Sequence, residues 1–422
     1  MLSDISKAEA VTVWGAGREG ESVVAFLRRR HPDCQIKVVQ DPLSEPLKGI
    51  VVKSPGISLY RPELQSADAV FTSGTNLFLE RCYMAAKRPL LIGVTGTKGK
   101  STTSSLIARL LAAAGRKTAL GGNIGKPVID YADGIEDLDV VVDEVSSYQA
   151  ADLRYSFDIN VVLNLYPEHI DWHGTHDRYY RDKLNILAHR AKGQTAVLNA
   201  EDPRTKEYLP DAGNAVFFNS PDGVCEHDGW FWQAGKRLFE TSVVPLKGEH
   251  NLKNVCAALT VAGLAGVDLS ACAEALKTFQ ALPHRLQQCC EKGAIRFIDD
   301  SISTTPETAI AALKAFAPAP IVLIAGGYDR RQDYRALAEF VAKGGATAVV
   351  TLPQTGERLA RDVRDAGGTA VEAVDMADAV AKAFGLAVKG GVVLLSPASP
   401  SYGIYKNFEE RGDIFAETVA NL

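Results

Sequence analysis

The chain has 422 residues, a mass of 45.3 kDa and a formal net charge of −5, from 46 Lys and Arg against 51 Asp and Glu. Apolar residues at 46% and charged residues at 23% are ordinary for a globular protein and exclude a largely disordered chain. The acidic balance removes any general attraction to nucleic acid or anionic membranes, and no apolar run approaches the roughly 18 residues of a membrane span.

At roughly 150 residues per domain, the length predicts three domains, each able to bury a core without metal or disulfide staples. The N-terminal MLSDISKAEA has no apolar centre, so no secretory signal is expected there. The 7 cysteines are odd in number and form no CxxC pair, as in reduced, structural thiols. A cytoplasmic protein is the expectation.

In chain order, short β-branched runs precede Gly-rich turns and helical patterns: VTVWG at 11–15, LLIGVTG at 90–96, DVVVDEV at 139–145, NVVLNLY at 160–166, PIVLIAGG at 320–327 and GVVLLSP at 391–397. Continuous apolar strands alternating with amphipathic helices predict a doubly wound α/β architecture, with ligands at the carboxyl ends of parallel strands. Residues 213–245 alternate polar and apolar like a small antiparallel excursion, and a long helical pattern covers about 252–280. Breaks near Lys87–Pro89 and Leu282–Pro283 divide the chain into 1–88, 89–282 and 283–422.

The first glycine motif, Gly15-Ala16-Gly17-Arg18-Glu19-Gly20, follows VTVW and opens ESVVAFLRRR, with Asp41 about twenty residues on. Alone it predicts an NAD-dependent dehydrogenase. A UDP-sugar, which also carries a pyrophosphate and a ribose, satisfies the same chemistry.

The densest motif is Gly96-Thr97-Lys98-Gly99-Lys100-Ser101-Thr102, between an apolar strand and a helical run. Its glycines let backbone N–H groups converge on phosphate oxygens, and the helix start adds its dipole. Lys100 would reach the β- and γ-phosphates, and the Ser101 or Thr102 hydroxyl would ligate Mg2+. Val94 stands where a strict Walker A loop has glycine. An ordinary Gly-rich turn with a surface lysine is the bland alternative. The crowding of lysines, glycines and hydroxyls favours a nucleoside triphosphate, bound by an enzyme or by a non-catalytic nucleotide-binding module.

Glu144 ends the DVVVDEV strand, and NVVLNLY leads into Pro167-Glu168-His169-Ile170-Asp171-Trp172-His173-Gly174. A carboxylate and an imidazole beside a triphosphate suit Mg2+-assisted phosphoryl transfer, which favours Glu144 and His169. Glu168, Asp171 and His173 are as readily polar loop residues, and Lys183 by itself is a solvated helix lysine. Cys289-Cys290 is an incidental pair in a strand. Trp14, Trp172, Trp230 and Trp232 form no stacking pattern for nucleic acid.

The ordered blocks TGTKGKST, EVSSYQ, NLYPEHIDWHG, YYRDKLNIL, GEHNLKNVCAAL, LPHRLQ and LSPASPSYGIYKNFEERG resemble the Mur ligases over nearly the whole chain. The last block and the short N-terminal domain are similar to the branch that adds glutamate to UDP-N-acetylmuramoyl-L-alanine. Folylpolyglutamate synthetases share the ATP loop but lack both features. The resemblance implies a Rossmann-like N-terminal domain for the UDP moiety, a P-loop-type central ATPase domain with a parallel sheet, and a Rossmann-like C-terminal domain.

It further implies ATP at Gly96, Thr97, Lys98, Gly99, Lys100, Ser101 and Thr102. Two Mg2+ ions are implied at Ser101, Glu144, His169 and a carbamylated Lys183, with Lys100, Glu144, His169 and Lys183 as catalytic residues. Asn251, Asn254, Arg285 and Asp300 correspond to nucleotide contacts. Gly17, Asp41, Ser54, Gly56 and Asn123 correspond to UDP-muramoyl contacts, and Thr304, Arg330, Ser401 and Phe408 to the amino-acid pocket. The implied reaction passes through an acyl phosphate, shielded from water by closure of the C-terminal domain, in a monomer with small-molecule partners only.

Three departures bear on the amino acid: Glu168 where the family has aspartate, Ile302 where it has lysine, and Arg330 where another lysine contacts glutamate. An arginine fork still suits a carboxylate, with different geometry. D-glutamate is the family default. L-glutamate is the alternative, because the GREG loop, the DWHG tryptophan and DSISTTP resemble a branch that uses it.

Overall fold

The computed structural model describes residues 1–209, 211–246, 248–280, 283–330 and 332–422, without the side chain of Asp171. The expected boundary residue Leu282 lies outside the described residues. Two compact units result, one of residues 1–245 with 249–279 and the other of 246–248 with 280–422.

The first unit carries strands β1 (Ala10–Trp14), β2 (Gln35–Val39), β3 (Lys48–Lys53), β4 (Asp68–Thr72), β5 (Leu90–Thr95), β6 (Thr118–Gly122), β7 (Val140–Glu144), β8 (Ile159–Val162), β9 (Thr195–Asn199) and β10 (Ala215–Phe218). A parallel sheet of order β2-β1-β3-β4 is followed by a second, also parallel, of order β10-β9-β8-β5-β7-β6. Strands β5, β7 and β8 are buried almost throughout, the burial expected of parallel strands covered on both faces. One apolar cluster runs from Leu2, Val13 and Phe78 through Leu91, Val141 and Phe157 to Leu198, so both sheets share a continuous core.

The antiparallel excursion is real but shorter than expected. It comprises β11 (Val224–His227), β12 (Trp230–Gln233) and β13 (Lys236–Glu240), whereas Ala215–Phe218 pairs parallel with β9. The helical pattern of 252–280 is two helices, Glu249–Leu264 and Cys272–Lys277. Gly266, with φ +82°, breaks the first, and Asp268 caps the intervening turn by accepting from the Ser270 N–H at 3.0 Å. The NVVLNLY strand stops at Val162, because Asn164 turns to the glycine loop. Its Oδ1 accepts from Lys98 N at 2.8 Å and its Nδ2 donates to Lys98 O at 3.0 Å.

The second unit carries β14 (Gln287–Lys292), β15 (Ile295–Asp299), β16 (Ile321–Gly326), β17 (Ala348–Leu352), β18 (Ala370–Glu372) and β19 (Val392–Leu395). Its sheet has the order β14-β15-β19-β16-β17-β18, with only β14 antiparallel. Alternate residues feed opposite faces: Leu323 and Leu394 enter one core, Ile324 and Leu395 the other. Among the described residues no helix is long and apolar enough to cross a membrane.

Gly93, central in β5, sits where a Cβ would lie 2.3 Å from the Phe157 ring. Gly93→Ala is expected to cost about 1–3 kcal/mol by overpacking, read from the denaturation midpoint.

Candidate active site

The carboxyl ends of β5, β7 and β8 bring the glycine loop, Glu144 and the His169 segment together. The loop is built from both its own glycines and its neighbours. Gly99, with φ +84°, is left-handed and begins the helix Lys100–Ala113; a Cβ there would lie 2.3 Å from Asn254 Oδ1. Asn254, on the helix Glu249–Leu264, donates in turn to Asn251 Oδ1 at 3.2 Å, and both asparagines are buried. The loop and the asparagine pair are thus packed as one unit.

Three lysines converge here. Lys100 Nζ donates to the carbonyls of Gly96 at 3.0 Å and Thr97 at 3.2 Å. Lys98 Nζ pairs with Glu168 Oε1 at 2.6 Å. Lys183, expected as a solvated helix residue when taken alone, is 2% exposed and donates to Gly96 O at 3.1 Å. Burial, then the charge of Lys100, drives its amine well below the ordinary lysine range. Burial alone would raise the Glu168 carboxyl, but the Lys98 ammonium beside it holds it below its usual value.

Glu144 is 1% exposed; its Oε1 accepts from Asn123 Nδ2 at 2.7 Å, while Oε2 is buried with no hydrogen-bond partner among the described residues. Thr102 is likewise buried with an unpartnered hydroxyl. His169 has φ +54°, and its Nδ1 lies 3.0 Å from the Tyr148 hydroxyl. Among the described residues no three His, Cys, Asp or Glu form a metal-holding group. The orphaned Glu144 oxygen nevertheless suits a cation, and a deprotonated Lys183 amine is the form that reacts with carbon dioxide, so the residues fit Mg2+ held jointly with phosphate oxygens and a carbamate.

A cavity of about 250 Å3 opens beside this cluster, lined by residues that include Arg18, Glu19, Gly56, Asn123, Tyr148 and Gln149. Gly17 precedes the helix Arg18–Arg30 with no side-chain cap. Burial and the nearby Asp152 push Glu19 up to about 7, against the opposing charge of Lys53. Ser54 Oγ bonds Gly15 O at 3.3 Å, joining the two expected substrate turns. The Asp41 carboxylate is held by Arg61 at 2.5 and 3.1 Å, so a ribose there would compete with an ion pair. Asn123 touches both the cavity and Glu144, a double placement the sequence did not indicate.

In the second unit, Asp300 is buried, accepts from Ser396 Oγ at 2.8 Å and Leu286 N at 3.2 Å, and is raised by burial to about 6. Arg285 Nε is buried without a hydrogen-bond partner among the described residues. Gln332 links two expected amino-acid contacts, donating to Thr304 O at 3.4 Å and accepting from Arg330 N at 3.0 Å. The Arg330 guanidinium lies 5.5 Å from the Tyr402 ring centroid, next to the buried Ser401. The Phe408 carbonyl accepts from Ser301 Oγ, and its ring is edge-on to His284 at 6.2 Å.

Sequence reasoning missed several participants. His173, expected as a polar loop residue, is fully buried between Asp182 at 2.6 Å and Ser147 at 3.1 Å. Tyr148, inconspicuous inside the EVSSYQ block, stacks on Trp172 at 4.8 Å and touches His169. Arg411, inside the terminal KNFEERG, is buried, bonds Ser301 and Ser399, and is lowered by that burial to about 10. None of these carries a spacing that periodicity would single out.

The family profile described as Mur ligase middle domain matches residues 94–262, and that described as Mur ligase, glutamate ligase domain matches 284–399. A Micromonospora sp. protein named UDP-N-acetylmuramoyl-L-alanine–L-glutamate ligase is 40% identical, over 99% of this chain and 98% of its own length. A protein of the same name from Xanthomonas campestris pv. campestris is 37% identical, over 97% and 95%. Among solved structures, the MurF ligase of Thermotoga maritima in complex with ADP superposes with TM-score 0.65 at 19% identity, covering 99% of this chain and 97% of that one.

Asp300 supplies a pH signature. Its carboxyl is raised in the fold, so the folded protein holds a proton that the unfolded chain has released between pH about 4 and about 6, and stability falls as pH rises through that window. The wild type is expected to lose about 3 kcal/mol relative to Asp300→Asn across it, measured by denaturant titration at each pH.

Proposed function

The chain belongs to the Mur ligase family, and we propose that it joins L-glutamate to UDP-N-acetylmuramoyl-L-alanine with ATP, as a cytoplasmic monomer in peptidoglycan precursor synthesis. The observation that carries this reading is the meeting, at the Gly96–Thr102 loop, of the Lys98 and Lys100 cations with the buried Lys183 amine and the unpartnered Glu144 oxygen, a set suited to a triphosphate and its metal ions. The names of the relatives favour L-glutamate over the D-glutamate default.

In the proposed reaction the alanyl carboxylate attacks the γ-phosphate of ATP, giving an acyl phosphate and ADP. The amine of glutamate then attacks the acyl carbon, and the tetrahedral intermediate collapses with loss of phosphate. A carboxylate approaching a polyanion meets strong repulsion, which cationic groups fixed beforehand offset without reorganisation. Lys100 moves from its carbonyl partners to the phosphates, aided by the loop N–H groups and Lys98. Glu144, His169, the Ser101 hydroxyl and a carbamylated Lys183 are the residues that would hold two Mg2+ ions. Those ions supply charge neutralisation at the transferring phosphoryl group.

Asn251, Asn254, Arg285 and Asp300 are the nucleotide contacts of this reading, and Gly17, Asp41, Ser54, Gly56 and Asn123 those of the UDP-sugar. Thr304, Arg330, Ser401 and Phe408 form the glutamate pocket, with Arg330 binding a carboxylate by its fork. A dehydrogenase reading of Gly15–Gly20 would leave the three converging lysines without a task.

Phosphate release from ATP and UDP-N-acetylmuramoyl-L-alanine is expected to depend on L-glutamate and not on D-glutamate. Release only with D-glutamate would reverse the stereochemical assignment, and release with neither would overturn the ligase. Lys100→Ala is expected to lower the rate roughly 100- to 1,000-fold.

A further inference from the structure

The segment Ser54–Tyr60 and the helix His176–Leu184 are far apart in sequence, yet polar side chains tie them together. Tyr60 donates its hydroxyl to Asp182 at 2.8 and 3.0 Å. The same carboxylate lies 2.6 Å from His173 Nδ1, and His173 Nε2 lies 3.1 Å from Ser147 Oγ. A carboxylate only accepts, so Nδ1–H donates to Asp182, and Nε2 shares a hydrogen bond with the Ser147 hydroxyl. Three further bonds fasten the same loop: Ser58 Oγ to Trp172 O at 2.6 Å, and Trp172 Nε1 to Pro55 O and to Gly56 O, both at 3.1 Å.

Asp182 is followed by Lys183, whose amine reaches Gly96 O in the phosphate loop. Ser147 opens the short helix just beyond Glu144. The network therefore touches the turn Ser54–Gly56, the strand end carrying Glu144, and the helix carrying Lys183. Burying an imidazole and a carboxylate carries a desolvation cost that an apolar pair of the same volume would avoid. What the polar network adds is a single register among three segments.

We propose that Tyr60, Asp182 and His173 form a positioning relay that fixes Lys183 relative to the 54–58 turn. Occupancy of the UDP-sugar turn and readiness of the phosphate loop are thereby linked. For its catalytic consequence the proposal rests on the ligase reading; for its physical content it does not. Tyr60 and His173 touch no reacting atom and act through Asp182.

Four variants test it: Tyr60→Phe, His173→Leu, His173→Asn, and the double variant Tyr60→Phe/His173→Leu. Tyr60→Phe should lower kcat roughly 10-fold and His173→Leu roughly 100-fold, with KM for ATP unchanged and KM for UDP-N-acetylmuramoyl-L-alanine raised. Asn keeps an N–H donor and should restore most of the loss in His173→Leu. The double variant should be no worse than His173→Leu alone, because both act on one carboxylate. In parallel, amide hydrogen exchange should quicken in residues 176–184 of Tyr60→Phe and in residues 55–60 of His173→Leu.

Multiplying kinetic effects, a failure of Asn to rescue, or exchange that quickens only beside each substitution would each overturn the relay. If the wild type releases no phosphate, the ligase reading falls, while amide exchange still decides whether the two segments are coupled.

Discussion

Placing an amine where water cannot reach it is the constraint on which the rest of this architecture depends. Lys183 is enclosed beside two further lysines, and burial together with their charges raises the cost of keeping its amine protonated. The fold supports this with backbone carbonyls from the glycine loop and carboxylates on two strand exits. Glu168 answers Lys98, and Glu144 stands nearby with one oxygen engaged and one not. Such an arrangement is under electrostatic tension by itself, and a polyanion bearing metal ions would relieve it. The loop, the asparagine pair beneath it and the diverted end of β8 can all be understood as scaffolding for that one requirement.

The departures from family pattern take on meaning in that setting. Glu168 is one methylene longer than aspartate, and its carboxylate pairs with Lys98. Arg330 is braced on both sides, by Gln332 at its backbone and by Tyr402 against its guanidinium. A lysine has no planar face to set against such a ring.

Much of this was legible in the sequence. Apolar runs and glycines announced the parallel strands because buried strands must be continuously apolar, and the phosphate loop announced itself through residue types that few other turns need. Boundaries were harder: Val162 ends its strand because Asn164 is needed elsewhere, a tertiary demand that local propensity does not express. Site residues were legible where a motif carried them and illegible where they act through a partner. His173 is invisible as chemistry until Asp182 and Ser147 flank it and Tyr60 meets the same carboxylate. Lys183 looks like any helix lysine until its burial is seen, and the resemblance rather than its spacing brought it forward.

The shared core of the first unit has a consequence for how such chains can be recombined. The helix Gly74–Met84 is buried along most of its length, and its Leu77, Phe78 and Leu79 belong to the same apolar cluster as Leu91 and Phe157. Cutting after residue 88 would not release an independent cassette but would expose two raw apolar surfaces. Exchanging the front module with that of a distant relative would require recutting the matching face as well. The front of this chain can therefore drift residue by residue far more readily than it can be swapped wholesale.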